Sequence, residues 1–198
     1  MSRYLVCMTG ASGAAYGLRV LALLAEQGAE IHLVATDWGR AVLREETGSE
    51  LGSHLAALGP RLGGLVRLHE AGDLAAPVSS GSFRLDGTVI VPCSMGTAGA
   101  LAAGLSANLV QRAGAVALKE GWPLVLVPRE SPLSLVALRN LVALSEAGAV
   151  ILPACPAFYH KPSTVDELVD QIAQRVLDRL GAPAPGALRW KDEGEERE

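Results

Sequence analysis

The stretch MTGASGAAYG, residues 8–17, lies between a short apolar run and a helical pattern. A nucleotide-binding loop occupies this place in many α/β proteins. The stretch is not the dinucleotide fingerprint G-x-G-x-x-G, because Ser12 stands where the middle glycine would be. Its small residues let backbone N–H groups approach an anion at a helix N-terminus, and Ser12 adds a hydroxyl donor that suits a phosphate. A loop whose glycines only permit a tight turn is the alternative.

Strand-like and helical patterns alternate along the rest of the chain. The apolar runs are RYLVCMT, EIHLVAT, GTVIVPC, PLVLVP and GAVILP, and helical patterns cover residues 14–27, 38–46, 108–120, 133–146 and 164–180. Residues 53–59 suggest a short helix. Residues 60–82 are the least regular part of the chain, and PVSSGSF reads as loop. This alternation predicts an α/β fold, a three-layer, doubly wound, mostly parallel sheet of the Rossmann or flavodoxin-like kind. Ligands are then expected at the carboxyl ends of the strands.

The domain organisation follows from length and composition. A chain of 198 residues, 49% hydrophobic and 19% charged, suits one well-buried domain. We predict a single α/β domain over residues 1–183. Residues 184–198, which end in KDEGEERE, are predicted to form a solvated tail.

Composition also excludes several classes of function. A net charge of −4 without a basic run gives no reason to expect nucleic acid. Three distant cysteines without a C-x-x-C pair, and four histidines without H-x-x-x-H spacing, argue against a metal site and a disulfide framework. No apolar run approaches the roughly 20 residues that a membrane helix needs, so a cytoplasmic location without membrane contact is predicted.

A second loop of small residues, CSMGT, follows the strand that begins at Gly87. Two such loops at two strand ends favour a ligand with a phosphate and a flat body lying across them. Ser94 and Thr97 could equally be helix N-caps, and for Thr97 we favour that role. Cys93 is expected to be packed rather than reactive, because no His or Lys lies near it in sequence.

Charged and hydroxyl residues follow the last two strands. In VPRESP, Arg129 and Glu130 suggest an anion ligand and an acid/base group, with a surface ion pair as the alternative. Lys119 ends the preceding helix, where most lysines are solvated. Tyr159 lies in a proline-bounded loop, and Arg175 lies at the edge of an apolar helical stripe along which it could simply snorkel. Together these positions suggest a second phosphate site rather than a hydride-transfer site.

With these residues assembled, the chain resembles the UbiX-type flavin prenyltransferases, which are Pad1-like in fungi. The resemblance runs from about residue 4 to residue 180 and rests on several motifs in the same order: TGASGAAYGLRVL, SSGSF, PCSMGT, RAGAVALKE, PLVLVPRESP, GAVILPACPAFYHKP and VDQIAQRVLDRLG. Several ordered motifs are far more specific than one glycine-rich loop.

The resemblance implies an activity and its partners. The family transfers a dimethylallyl group from dimethylallyl monophosphate to N5 and C6 of reduced FMN, without a metal. The prenylated FMN then serves UbiD-type decarboxylases. Large assemblies, often homododecamers, with sites shared between subunits are also implied.

The same resemblance implies roles for individual residues. FMN would be contacted by Gly10, Ala11, Ser12, Thr36, Ser94, Met95, Gly96, Thr97 and Arg129. The prenyl phosphate would be held by Tyr159 and Arg175, with Lys119, Arg129 and Glu130 completing that site. The catalytic group would consist of Ser12, Glu46 and Glu130, with Glu130 or the released phosphate accepting the proton lost at C6.

Two departures and two rival functions accompany the resemblance. Thr36 replaces a serine common in the family, and Leu74 falls roughly where some relatives carry a tryptophan above the allyl group. A flavin-dependent decarboxylase of peptidyl or pantothenoyl cysteine would need a catalytic histidine and a P-x-M-N-x-x-M motif, where this chain has PRESP. A non-enzymatic flavin carrier would need no second phosphate site.

Overall fold

Six strands form one sheet in the computed structural model, which describes residues 1–185. The strands are β1 (Arg3–Met8), β2 (Glu30–Ala35), β3 (Val66–Glu70), β4 (Gly87–Cys93), β5 (Leu124–Pro128) and β6 (Val150–Ile151). Their order is β3-β2-β1-β4-β5-β6, and every neighbouring pair is parallel. The predicted doubly wound α/β fold is confirmed. The strand order reverses between β1 and β4, which is where such sheets bind their ligands.

Eight α-helices are described in residues 1–185. They are α1 (Ala14–Glu26), α2 (Asp37–Thr47), α3 (Leu51–Ala57), α4 (Gly59–Gly63), α5 (Met95–Ala102), α6 (Leu109–Glu120), α7 (Leu135–Glu146) and α8 (Val165–Leu180), with a 3₁₀ turn at Pro77–Ser79. Five of them begin after a Ser, Thr or Asn whose side chain accepts a hydrogen bond from the N–H three residues on, namely Thr36, Ser94, Asn108, Ser134 and Thr164. These caps satisfy first-turn donors that would otherwise lack partners.

Each face of the sheet has its own core. One core joins strand residues such as Val6 and Val89 to helices α1 and α8, and the other joins Leu5 and Ile90 to α5, α6 and α7. Alternate residues of β1 therefore point into different cores, and Leu5–Met8 is fully buried. This explains the continuous apolar runs in the sequence, because both faces of a central parallel strand are covered.

The structure differs from the sequence prediction at the two edges of the sheet. Strand β3 lies in residues 60–82, the least regular part of the sequence, where no strand was predicted because VRLHE is largely exposed at the edge and carries no apolar run. Strand β6 covers only Val150–Ile151 rather than all of GAVILP. Beyond the strand, the Leu152 and Ala154 N–H groups still donate to the Leu126 and Pro128 carbonyls at 2.8 and 3.1 Å. Pro153 lies between these two donors on the edge strand, where its missing N–H costs no bond to β5.

Most of the predicted tail, residues 186–198, lies outside the described residues. Its first residue, Ala184, packs with Ala182 in the core shared with α1 and α8. Among residues 1–185, no helix combines the length and the apolar character needed to cross a membrane.

Gly17 in α1 lies so close to the strands that a side chain would not fit. A Cβ built there would lie 2.6 Å from the Val91 carbonyl oxygen and 2.9 Å from Met8 Cε. Gly52 in α3 provides a matched comparison, because a Cβ there would meet no atom within 4 Å.

We expect Gly17→Ala to lower the free energy of unfolding by about 1–3 kcal/mol through overpacking. Gly52→Ala is expected to be neutral or to stabilise by up to about 1 kcal/mol, since alanine favours helix. Urea denaturation of both variants measures the difference. Equal stability of the two variants would contradict the close approach of α1 to the sheet.

Candidate active site

Four loops meet at the carboxyl edge of the sheet because their strands are neighbours in the order β2-β1-β4-β5. Three hydrogen bonds join the other loops to the β1 segment. The Thr36 N–H donates to the Met8 carbonyl at 3.0 Å, the Ser94 N–H donates to Thr9 Oγ1 at 2.8 Å, and Arg129 Nε donates to the Ser12 carbonyl at 3.2 Å. All residues assigned to FMN by resemblance thus lie in one group of adjacent loops.

Thr9 connects the two small-residue loops, a role that the sequence reasoning missed. Its hydroxyl donates to the Pro92 carbonyl at 2.8 Å and accepts from the Ser94 N–H at 2.8 Å. Thr9 is buried, so its bond to Pro92 is shielded from water, while the bond from Ser94 is partly buried. The available signal was a hydroxyl residue at the end of an otherwise apolar strand.

Glu46, in the last turn of α2, reaches the loop at the start of α1. Its carboxylate accepts hydrogen bonds from the Gly13 N–H at 2.9 and 3.1 Å and from the Ala14 N–H at 2.8 Å. The Ser12 hydroxyl is a further hydrogen-bond partner. The sequence predicted an anion on these amides, but in this structure the anion is a carboxylate of the same chain rather than a ligand phosphate.

Several contacts act on the pKa of Glu46. Partial burial alone would raise it, but the hydrogen bonds from Ser12, Gly13 and Ala14 and the nearby charge of Arg129 outweigh burial and lower the pKa. Glu46 is therefore held as a carboxylate at neutral pH. It fixes the loop and places a negative charge beside Ser12.

In the second loop, residues 93–97, Ser94 is the N-cap of α5, whereas Thr97 lies inside the first turn of the helix, so the N-cap role favoured for Thr97 was wrong. Ser94 Oγ accepts from the Thr97 N–H at 3.3 Å and donates to Thr97 Oγ1 at 3.0 Å. Cys93 is fully buried, and burial raises the pKa of its thiol to about 12, so the expected packed, unreactive state is confirmed. A Cβ added at Gly96 would meet no atom within 4 Å, so the space beside this loop is left open by the chain.

Arg129 and Glu130 do not form the ion pair that was the alternative interpretation. Arg129 binds the Ser12 carbonyl, whereas Glu130 Oε1 accepts from the Ser131 N–H at 3.1 Å. No ion pair between Arg129 and Glu130 is found in the described part of the chain. Arg129 is thus placed as a cation beside the Ser12 loop.

Tyr159 and Arg175 share a cavity of about 140 Å³ between α8 and the loop that follows β6. His160 also lines it, with its ring centroid 4.3 Å from that of Tyr159, and Arg175 pairs with Asp178 at 3.4 Å. The cavity lies close to the first turn of α1, which carries Tyr16. Burial raises the pKa of Tyr16, and so does nearby Cys155, which lines the cavity. The Tyr16 ring would in turn lie 2.8 Å from a Cβ added at Gly13.

Lys119 is not part of this group within one chain. It lies at the C-terminal end of α6, just before β5 begins, and so at the amino edge of the sheet. Its ammonium pairs with Glu120, and it would lie 3.1 Å from a Cβ on Gly81, in the loop that precedes β4. Lys119 and the Ser12 loop are therefore at opposite edges of the same sheet.

The carboxyl edge fits a flavin phosphate ester in several respects. It combines small residues, hydroxyl side chains and the Arg129 cation at adjacent strand ends. Two large apolar side chains are exposed nearby: Trp38, beside Gly10, is 76% exposed, and Leu74, which follows β3, is 47% exposed. Within residues 1–185, no group of three or more His, Cys, Asp or Glu side chains is arranged to hold a metal ion.

Comparison with known proteins agrees with this geometry. The model of the family described as Flavoprotein matches residues 1–177. Flavin prenyltransferase UbiX of Pseudomonas aeruginosa is 43% identical over 198 residues, covering 96% of this chain and 95% of the relative. The chain belongs to the UbiX-type flavin prenyltransferase family. The family and the flavoprotein class expected from the sequence are confirmed.

Two solved structures of family members share the fold over nearly their full length. The structure of AnUbiX (PadA1), a complex with FMN and dimethylallyl pyrophosphate, has a TM-score of 0.88 at 43% identity and covers 96% of this chain and 97% of that chain. A dodecameric FMN-dependent Ubix-like decarboxylase from Escherichia coli O157:H7 has a TM-score of 0.88 at 44% identity, covering 96% and 99%.

Proposed function

We propose that this chain is a flavin prenyltransferase that transfers a dimethylallyl group from dimethylallyl monophosphate to N5 and C6 of reduced FMN. The observation that carries the proposal is the pairing of two sites at one edge of the sheet. The loops around Ser12 and Ser94 would hold FMN, and the cavity of Tyr159 and Arg175 would hold the prenyl phosphate. Family membership supports the same assignment.

The chemistry requires stabilisation of a leaving phosphate. As the bond between the allylic carbon and the phosphate oxygen breaks, negative charge grows on the phosphate, and Arg175, Arg129 and the Tyr159 hydroxyl would stabilise it. The allylic carbon bonds to N5 as the phosphate leaves, and N5 loses its proton. The remaining double bond of the prenyl group then takes up one proton so that its tertiary carbon bonds to C6, and C6 releases one proton. Glu130 or the released phosphate would accept that proton. Reduced FMN supplies the nucleophilic ring, so no redox step is needed.

Assembly would bring Lys119 into this scheme. The Escherichia coli relative is described as dodecameric. In this chain α7 exposes a row of apolar side chains, with Leu135 61%, Val136 68% and Val142 57% exposed, which suits burial against another copy. We propose that the chain forms a homododecamer in which Lys119 of one copy approaches the Tyr159 and Arg175 cavity of another.

The rival functions fit the geometry less well. A flavin carrier has no use for a second cavity with Arg175 and Tyr159. A cysteine decarboxylase needs its characteristic motif where this chain has PRESP. Delivery of the product to a UbiD-type decarboxylase, metal independence and a cytoplasmic location stay predictions.

Anaerobic incubation of the protein with reduced FMN and dimethylallyl monophosphate, followed by mass spectrometry of the released flavin, tests the proposed function. We expect a flavin heavier by one C5 unit, and none when the donor is omitted. A flavin of unchanged mass with the complete mixture would overturn the proposal and favour the carrier.

A further inference from the structure

The cavity of Tyr159 and Arg175 contains a polar side chain that neither motifs nor resemblance suggested. Gln171, one turn before Arg175 on α8, lines this cavity and is only 9% exposed. Within residues 1–185, its Nε2 has no hydrogen-bond partner and is closed off from solvent. A buried amide donor without a partner is costly, roughly 1–3 kcal/mol, and its persistence calls for an explanation.

The orientation of the Gln171 amide is fixed by its other end. Gln171 Oε1 accepts a hydrogen bond from the Ala157 N–H at 2.9 Å. Because the oxygen faces the backbone of the loop that carries Tyr159, the NH₂ group cannot exchange places with it without losing this bond. The amide thus links α8 to the loop through its oxygen, while its NH₂ group remains without a hydrogen-bond partner.

The charges around the cavity favour an anion as the group that takes this donor. Arg175 is cationic and is partly compensated by Asp178, while the Tyr159 and His160 rings close one side. We infer that Gln171 Nε2 donates a hydrogen bond to the phosphate head group of the prenyl donor, making Gln171 a substrate-positioning residue. This inference rests on the proposed function. Because Nε2 is closed off from solvent, its engagement requires a small shift of the cavity wall, and Tyr159 in that wall lies on a loop without helix or strand.

Two substitutions separate the donor from the clamp. Gln171→Glu keeps an acceptor for the Ala157 N–H but replaces the donor with an anionic oxygen, whereas Gln171→Met removes both groups at similar volume. We expect the KM for dimethylallyl monophosphate to rise about tenfold in Gln171→Met and further in Gln171→Glu, since a hydrogen bond to a charged group is lost and then replaced by repulsion. The kcat of Gln171→Glu, which keeps the link to Ala157, and the FMN dissociation constants of both variants are expected to stay unchanged. Arg179→Gln, an exposed change on the same helix, is the matched control.

The outcomes distinguish this inference from the proposed function. A wild-type KM in Gln171→Glu would overturn the inference even while prenylated flavin is formed. If wild-type protein forms no prenylated flavin, the proposed function fails, and calorimetric binding of inorganic pyrophosphate still tests Gln171. Weaker pyrophosphate binding by a folded Gln171→Glu than by wild type would support the donor role, and equal binding would refute it.

Discussion

Glu46→Gln is expected to lower the kcat of prenyl transfer about 100-fold while the protein remains folded. The carboxylate holds the N–H groups of Gly13 and Ala14 and the Ser12 hydroxyl together, and a neutral amide supplies one acceptor oxygen where two now serve. A loop shift of about 1 Å at a reacting centre costs on the order of 100-fold in rate. Steady-state kinetics with saturating FMN and donor measure the effect.

Glu45→Gln is the matched control for this experiment. Glu45 is exposed on the same turn of α2, carries the same charge, and makes none of the contacts that Glu46 makes to the Ser12 loop. It should retain wild-type kcat. A Glu46→Gln variant that turns over like Glu45→Gln would show that the carboxylate only caps α1 and that the resemblance assigns it a role it does not have.

Local patterns predicted the framework of the site. Apolar runs located the central strands, and the predicted helical patterns agree with α1, α2, α6, α7 and α8 to within two residues at each end. Because the carboxyl ends of parallel strands meet at one edge, the loops at Ser12, Ser94 and Arg129 were expected together. The hydrogen bonds between Thr9 and Ser94 and between Arg129 and Ser12 agree with that expectation.

The rest depends on contacts between distant parts of the chain. Glu46 lies more than 30 residues from Gly13, so no local pattern shows that it occupies the amides offered to a phosphate. In the sequence, Gln171 resembles any polar residue on a helix, and only the structure shows that its side-chain oxygen accepts a hydrogen bond from the Ala157 N–H. The family resemblance implied that Lys119 binds phosphate, but only the path of α6 shows that it lies at the opposite edge of the sheet.

The position of Lys119 at the opposite edge of the sheet predicts that it acts on the prenyl-phosphate site of a neighbouring subunit. Lys119→Ala and Arg175→Ala are each expected to reduce kcat/KM for the prenyl donor about 100-fold, because each removes a charge-assisted contact to the phosphate. Co-expression of the two variants should restore activity, since a mixed assembly contains sites with Lys119 from one chain and Arg175 from another. Random mixing makes about one site in four complete. Activity of the co-expressed pair relative to wild type measures this fraction.

A control pair uses residues that share one cavity in one chain. Tyr159→Phe and Arg175→Ala both alter the cavity between α8 and the loop after β6. Because one chain supplies both residues to this cavity, mixing the two variants creates no site that has both wild-type residues. This pair should show no restoration, because every cavity carries one of the two defects. If Lys119→Ala with Arg175→Ala also shows none, Lys119 does not act across a subunit boundary. Its pairing with Glu120 at the amino edge would then be its whole role.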